Sequence, residues 1–185
     1  TNAAEKCYNS MLQSANTIND TYLIAQAYLK LGKLYKDVEE FEKAAFYLDS
    51  SLKYALNIGE RDKKENNRQP RLSFLFDIRI NLSETYLLND QLEESLINLL
   101  KIEEDLKNTL SNKHSEGYFN YVYGLYFVKK DLYNNANSKF IDAIALLEND
   151  SESLMLLSKV YEEFSKSSAK SGNHEEAYAA LNKIA

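Results

Sequence analysis

Four times in 185 residues a small residue is followed twelve positions later by another small one, and four positions further by a bulky apolar one. The sets are Gly32, Ala44, Leu48; Ser83, Ser95, Leu99; Gly124, Ala136, Phe140; and Ser165, Ala177, Leu181. No insertion disturbs any of them. A bulky residue stands one position before each leading small residue, and in three copies an aromatic stands three after it. These flanks are Leu31 and Tyr35, Leu82 and Tyr86, and Tyr123 and Phe127; the fourth copy has Phe164 but Ser168 where the aromatic belongs. Two antiparallel helices that cross closely need small residues at the crossing and bulky neighbours in the grooves. The spacing therefore predicts helix pairs, with Gly32 meeting Ala44 and Gly124 meeting Ala136.

Local propensity resists this at one place. "GYFNYVYGLYF", residues 117–127, alternates aromatic and apolar residues as a strand does. The repeat interval runs through it, so the stretch is expected to be the first helix of the third pair. Breakers are scarce, with one Pro and five Gly in the whole chain, which favours long helices. The expected helices are 4–18, 21–36, 40–58, 71–88, 91–110, 115–129, 132–148, 151–171 and 174–184. Turns fall at Asp90, at Asn134–Asn135 and at Ser171–Asn173. Residues Gly59–Pro70 are polar and read as a solvated connection, with a docking loop as the alternative.

The large–small–aromatic and small–large pattern resembles the tetratricopeptide repeat (TPR) over nearly the whole chain. It departs from that family in lacking a Trp to open a repeat and a Pro to close one. The leading small residues are spaced 51, 41 and 41 apart, against a family norm of about 34. Seven extra residues are about two helical turns, so each helix of a pair can gain one turn without changing its inward face. The resemblance implies an all-α fold, a right-handed α-α superhelix of antiparallel helix pairs. It implies one domain over 1–185, with a half repeat at 1–20 and repeats at about 21–58, 71–110, 115–148 and 151–185. The opening segment matches a second helix, and the last pair has no polar cap beyond it. Solenoids need terminal caps, so a fragment of a longer protein is expected.

Chemistry is harder to find. The two histidines, His114 and His174, are 60 residues apart, and no metal-binding, nucleotide-binding or nucleophile motif is present. The acidic runs Glu93–Glu94 and Glu103–Asp105 lie on neighbouring helical positions that do not face one another. The lone Cys7 cannot form an internal disulfide and is expected to be a small core residue. Most tyrosines fall at core positions of the repeat. The expectation is no enzyme, no metal and no cofactor. A net charge of −6, with only four Arg, argues against a nucleic-acid-binding face, and no apolar run approaches the roughly 20 residues that span a bilayer. The compartment stays open, with cytosol slightly favoured over periplasm.

In TPR arrays the first helices line a groove. The resemblance places in it Gln26, Leu29, Lys33, Lys36 and Asp37; Asp77, Ile80, Glu84, Leu87 and Leu88; Tyr118, Tyr121, Leu125, Val128 and Lys129; and Lys159, Glu162, Lys166, Ala169 and Lys170. The Asn of a carboxylate clamp is replaced by Lys33, Glu84, Leu125 and Lys166, so that clamp is absent. The candidate contact residues are Ile80, Asn81, Glu84, Leu87, Tyr118, Tyr121, Leu125 and Val128, and the apolar ones among them are expected to be exposed. The alternative is that Tyr118 and Tyr121 pack on neighbouring helices. The expected partner is a protein or peptide, including a second copy of the chain. The long repeats look similar to arrays in bacterial signalling and regulatory proteins, which implies a sensor or scaffold. A peptide-pheromone receptor, with Asn81 and Asn120 holding peptide backbone, is an alternative; an envelope or secretion scaffold is another.

Overall fold

A computed structural model describes residues 2–61, 68–106 and 112–184. Among them are nine α-helices: α1 (Asn2–Thr17), α2 (Thr21–Asp37), α3 (Phe41–Arg61), α4 (Arg68–Leu88), α5 (Leu92–Leu106), α6 (Lys113–Lys129), α7 (Tyr133–Leu147), α8 (Leu154–Lys170) and α9 (His174–Leu181). A single 3-10 turn, Ser151–Ser153, precedes α8. The chain forms two compact units, Thr1–Thr109 and Leu110–Ala185. In the first, each of α1 to α4 packs on its successor, and in the second each of α6 to α8 does the same. The ambiguous aromatic stretch lies inside α6. The polar connection is shorter than expected, because α3 runs on to Arg61 and α4 starts at Arg68; residues 62–67 lie outside the described residues. So do 107–111, where the expected end of the fifth helix falls.

The small residues do allow close crossings. A Cβ on Gly32 would stand 2.5 Å from Leu48 Cγ, and one on Gly124 would collide with the Phe140 ring. The bulky residue sixteen positions on thus seats on each of these two glycines. Gly117 repeats the device two turns earlier in α6, against Leu147. Leu48, Phe140 and Leu147 are fully buried, each contributing roughly 1.5–3 kcal/mol of apolar burial. Where serine replaces glycine the i and i+12 residues do meet. Ser83 Oγ lies 2.7 Å from Ser95 Oγ and 3.1 Å from the Ser95 carbonyl, and Ser165 Oγ donates to the Ala177 carbonyl at 2.9 Å.

Each first helix ends in the same way. Glu39, Asp90, Asp131 and Gly172, all seven residues past the small residue, have φ of 62°, 57°, 57° and 86°. The next amide reaches back to the carbonyl of the aromatic position: Glu40 to Tyr35, Gln91 to Tyr86, Leu132 to Phe127 and Asn173 to Ser168, at 2.8–2.9 Å. This is the Schellman closure, which satisfies carbonyls that a helix end leaves open. Only Gly172 adopts the left-handed conformation without steric cost. Two first helices begin with side-chain caps: Asp20 accepts from the Leu23 amide at α2 and Asn112 from the Ser115 amide at α6.

Tyrosines tie successive helices together. Tyr35 and Tyr47 stack at 5.2 Å and Tyr28 and Tyr54 at 5.6 Å. Tyr35 donates to Glu5 on α1, which pushes its pKa up to about 12. Tyr86 donates to Asp49 on α3, and burial together with that bond raises its pKa. Cys7 corrects another expectation. It is exposed, because α1 buries fully only Ala15.

Two outcomes check this account. Gly124→Ala should destabilise the chain by roughly 1–3 kcal/mol through overpacking on Phe140, measured by urea denaturation; an unchanged midpoint would mean that α6 and α7 do not cross there. Glu39→Gly should stabilise it by roughly 0.5–1 kcal/mol, relief of left-handed strain outweighing the added unfolded-state freedom. A lower melting temperature would count against the left-handed turn.

Candidate functional site: the first-helix faces

With 100° per residue, the groove positions are not equivalent around a helix. Those three before and four after the small residue lie within about 60° of it, on the side drawn against the partner helix. Those six before and one after lie at about 100–120°, at the edge of that contact. Burial follows this division only in part: Leu29, Ile80, Leu87 and Tyr121 at inner positions are buried, but Glu84 at an outer position is buried too, and Glu162 and Ala169 at inner positions of α8 are exposed. Ile80 and Leu87 are 1% exposed and Tyr121 7%, which corrects the expectation that they line an open surface. Tyr121 lies with its ring 6.3 Å from Phe140, as the alternative reading of that residue has it. Tyr118, Leu125 and Val128 are half-buried.

In the first unit, α2 and α4 touch, and their groove positions form a closed polar network. Lys33 Nζ donates to both oxygens of Asp77, at 2.8 and 2.9 Å. Lys36 Nζ donates to Asn81 Oδ1 at 2.8 Å and pairs with Glu84. Asn81 Nδ2 donates back to the carbonyl of Asp77 at 2.7 Å and to its carboxylate at 3.0 Å. The Lys36 and Glu84 side chains are only 12% and 10% exposed. Such a pair is held by mutual neutralisation, and removing one member leaves an uncompensated buried charge. The pairing was legible in principle. Lys33 and Lys36 face Asp77 and Glu84 at groove positions of successive repeats, opposite in sign.

In the second unit, α6 and α8 touch. Tyr118, Leu125 and Val128 form one stripe of α6. On α8, Met155, Lys159, Glu162, Lys166 and Ala169 form an exposed stripe opposite the buried Leu157, Val160, Tyr161 and Phe164. Lys166 holds both Glu162 and Glu163, at 2.7 and 2.8 Å. The two asparagines suited to hold peptide backbone are already engaged. Asn81 is bonded as above; Asn120 donates to the Glu116 carbonyl at 3.1 Å and accepts from Lys139 at 3.4 Å.

One cluster has the composition of a hydrolase triad. Ser153 Oγ donates to Asp150 Oδ2 at 2.5 Å and lies 2.6 Å from His114 Nδ1. Its order is wrong for nucleophilic catalysis, where histidine stands between serine and aspartate. Here serine is in the middle, buried, with its proton committed to Asp150. The Ser153 hydroxyl, the Glu152 amide and the charge of His114 hold the Asp150 carboxyl below its ordinary pKa. The cluster pins the start of α6 to the 3-10 turn. A hollow of about 200 Å³, lined by Asp131–Asn135 and Ser171, is below the usual range for a small-molecule site. Among the described residues no group of three or more His, Cys, Asp or Glu is placed to hold a metal, and no helix is long and apolar enough to cross a membrane.

The architecture defines an all-α protein of sequential antiparallel helix pairs with a TPR-like fold. No known protein-family profile matches the sequence, and no curated protein matches it. Solved structures do. BtubC (BKLC) from P. vanneervenii superposes with a TM-score of 0.75 at 18% identity, over 99% of this chain and 71% of that one. MamA AMB-1 gives 0.51 at 17%, over 100% and 91%, and MamA MSR-1 gives 0.51 at 16%, over 97% and 94%. At these identities the likeness establishes the fold.

The buried pair makes its own prediction. Lys36→Met should cost roughly 3–5 kcal/mol by stranding Glu84, whereas Lys36→Met with Glu84→Leu should recover most of that loss. Chemical denaturation of both variants measures it. Additive losses in the double variant would show that the two charges are not coupled.

Proposed function

We propose that this chain is a non-catalytic interaction module that takes a polypeptide on a first-helix face, serving as a sensor or scaffold within a longer bacterial regulatory protein. On this reading the chain is one TPR-like domain of a half repeat and four repeats. The observation that carries the binding surface is the α6–α8 face. Tyr118, Leu125 and Val128 stand half-exposed on α6, which touches α8, a helix with an exposed stripe of its own, and apolar surface left open in this way is what contact sites use. An extended or helical peptide with apolar anchors fits it. Tyr121 supports this face from within rather than touching the ligand, whereas Ile80, Asn81, Glu84 and Leu87 are buried on α4 in the other unit. The regulatory role rests on the likeness of the long repeats to bacterial signalling arrays. The engaged amides of Asn81 and Asn120 weigh against the pheromone-receptor alternative.

Peptides selected from a display library on the immobilised chain provide the test. Leu125→Asp should weaken the selected peptides at least about tenfold, about 1.4 kcal/mol, because it places a charge in the desolvated contact. Ile141→Asp, at an exposed position on α7, should leave them unaffected. Thermal unfolding of both variants separates lost binding from lost folding. Peptides indifferent to Leu125→Asp in a folded protein would remove this surface as the site.

A further inference from the structure

The two units fill the same pair of positions with opposite chemistry. In the first, Lys33 stands one past the small residue of α2 and bonds to Asp77, six before the small residue of α4. Lys36, four past, pairs with Glu84, one past. Each lysine on one first helix thus meets a carboxylate on the next. Helices α6 and α8 touch as α2 and α4 do, and their corresponding positions hold Leu125 with Lys159 and Val128 with Lys166. An apolar side chain stands where each lysine of α2 stands, and a lysine where each carboxylate of α4 stands. At these positions α6 offers neither lysine a countercharge.

Lys159 is exposed and has no ion-pair partner among the described residues. Its position looks back toward the preceding first helix, as Asp77 looks back to Lys33, and the Asp77 side chain too stays 43% exposed. Lys166 bonds to Glu162 and Glu163 of its own helix, but its side chain is 56% exposed. Such solvated pairs are weak and exchange readily for another carboxylate. Lys129 and Lys170 stand five past the small residues of the same two helices, both exposed. The groove positions of α6 and α8 therefore carry four lysines against Glu162, in a chain whose net charge is −6.

Resting on the reading of α6–α8 as the binding face, we propose that the polypeptide it takes is an acidic segment of a partner protein. The segment sets apolar side chains on Tyr118, Leu125 and Val128 and carboxylates on Lys159 and Lys166. Those two lysines are about 10 Å apart along the helix axis. Asp or Glu residues about three apart in an extended chain, or about seven apart in a helix, span that distance. A basic segment is disfavoured, because it brings a like charge beside Lys159 with nothing on α6 to offset it.

Random peptides displayed on phage and selected on the immobilised chain should be enriched in Asp and Glu at about that spacing, and added salt should weaken them. Lys159→Glu should weaken the selected peptides at least about fivefold, since it turns an attraction into a repulsion. It should tighten copies of them whose carboxylates are exchanged for lysine, and Lys159→Arg should keep the original binding. Lys53→Glu makes the same change of net charge at an exposed position on α3 and should leave binding unchanged; thermal unfolding checks that each variant folds. Peptides that require Leu125 but carry no acidic excess, or that ignore Lys159→Glu, overturn the acidic preference and leave the binding face standing. A library that yields no peptide, or only peptides indifferent to both Leu125→Asp and Lys159→Glu, removes the face and the preference together. A dimer detected by sedimentation and abolished by Lys159→Glu would assign the face to a second copy and overturn the partner segment.

Discussion

The close crossing of the two helices in each pair is the constraint from which the other features descend. Where the leading small residue is glycine, a Leu or Phe side chain from the second helix occupies the space that a Cβ would take, as Leu48 does on Gly32 and Phe140 on Gly124. Where it is serine, the hydroxyl spans the gap and bonds to a carbonyl of the facing helix, as Ser165 does to Ala177. Both solutions keep the pair close, by packing in one case and by satisfying a buried acceptor in the other. The first tolerates no added carbon, and the second no loss of the oxygen. This is why the interval of sixteen residues recurs without insertion.

A fixed crossing also fixes the turn. The second helix must start close enough to reach its seat, and the left-handed residue seven past the small one reverses the chain within a few residues. Three of the four such residues are Glu or Asp rather than glycine, so strain is accepted there in return for the two backbone bonds of the closure. The aromatic position serves twice. Its carbonyl receives the closing bond, and in the first two repeats its hydroxyl reaches a carboxylate on the preceding second helix, Glu5 or Asp49. Ser168 cannot make that reach. Polar bonds from Ser167 to the Tyr133 carbonyl and from Asn137 to Ser171 join α7 and α8 instead.

The fold was legible because the evidence for it was an interval, which survives changes in residue type. The α6 stretch shows the strength of this, since the strand-like alternation of Phe119, Tyr121, Tyr123, Leu125 and Phe127 yielded to the repeat. What stayed illegible depended on angle and neighbourhood rather than spacing. Ile80 and Leu125 both belong to the groove by resemblance, yet one lies about 60° and the other about 100° from the crossing residue, and only the first is buried. Cys7 looked like a core residue by type, but α1 is covered along one side. The Lys33–Asp77 and Lys36–Glu84 pairs join residues 44 and 48 positions apart. Their signal was opposite charge at corresponding positions, visible only once the repeats are aligned and the helix faces known.

The two units therefore offer a ligand different surfaces. On the α2–α4 face the charges satisfy one another, and Lys36 and Glu84 are shielded from water. A ligand that recruited either would strand the other, at a cost comparable to breaking a buried pair, several kcal/mol. Only a ligand carrying its own compensating charge in the same geometry would escape that cost. On the α6–α8 face the lysine that is engaged, Lys166, is bonded to carboxylates of its own helix and stays solvated, so its rearrangement is nearly free. Apolar surface is already half-open on the neighbouring α6, at Leu125 and Val128. Recognition is thus expected where apolar contact can be gained without dismantling a buried pair. The charged network on α2 and α4 is better understood as holding two successive first helices in register than as a reader of ligands.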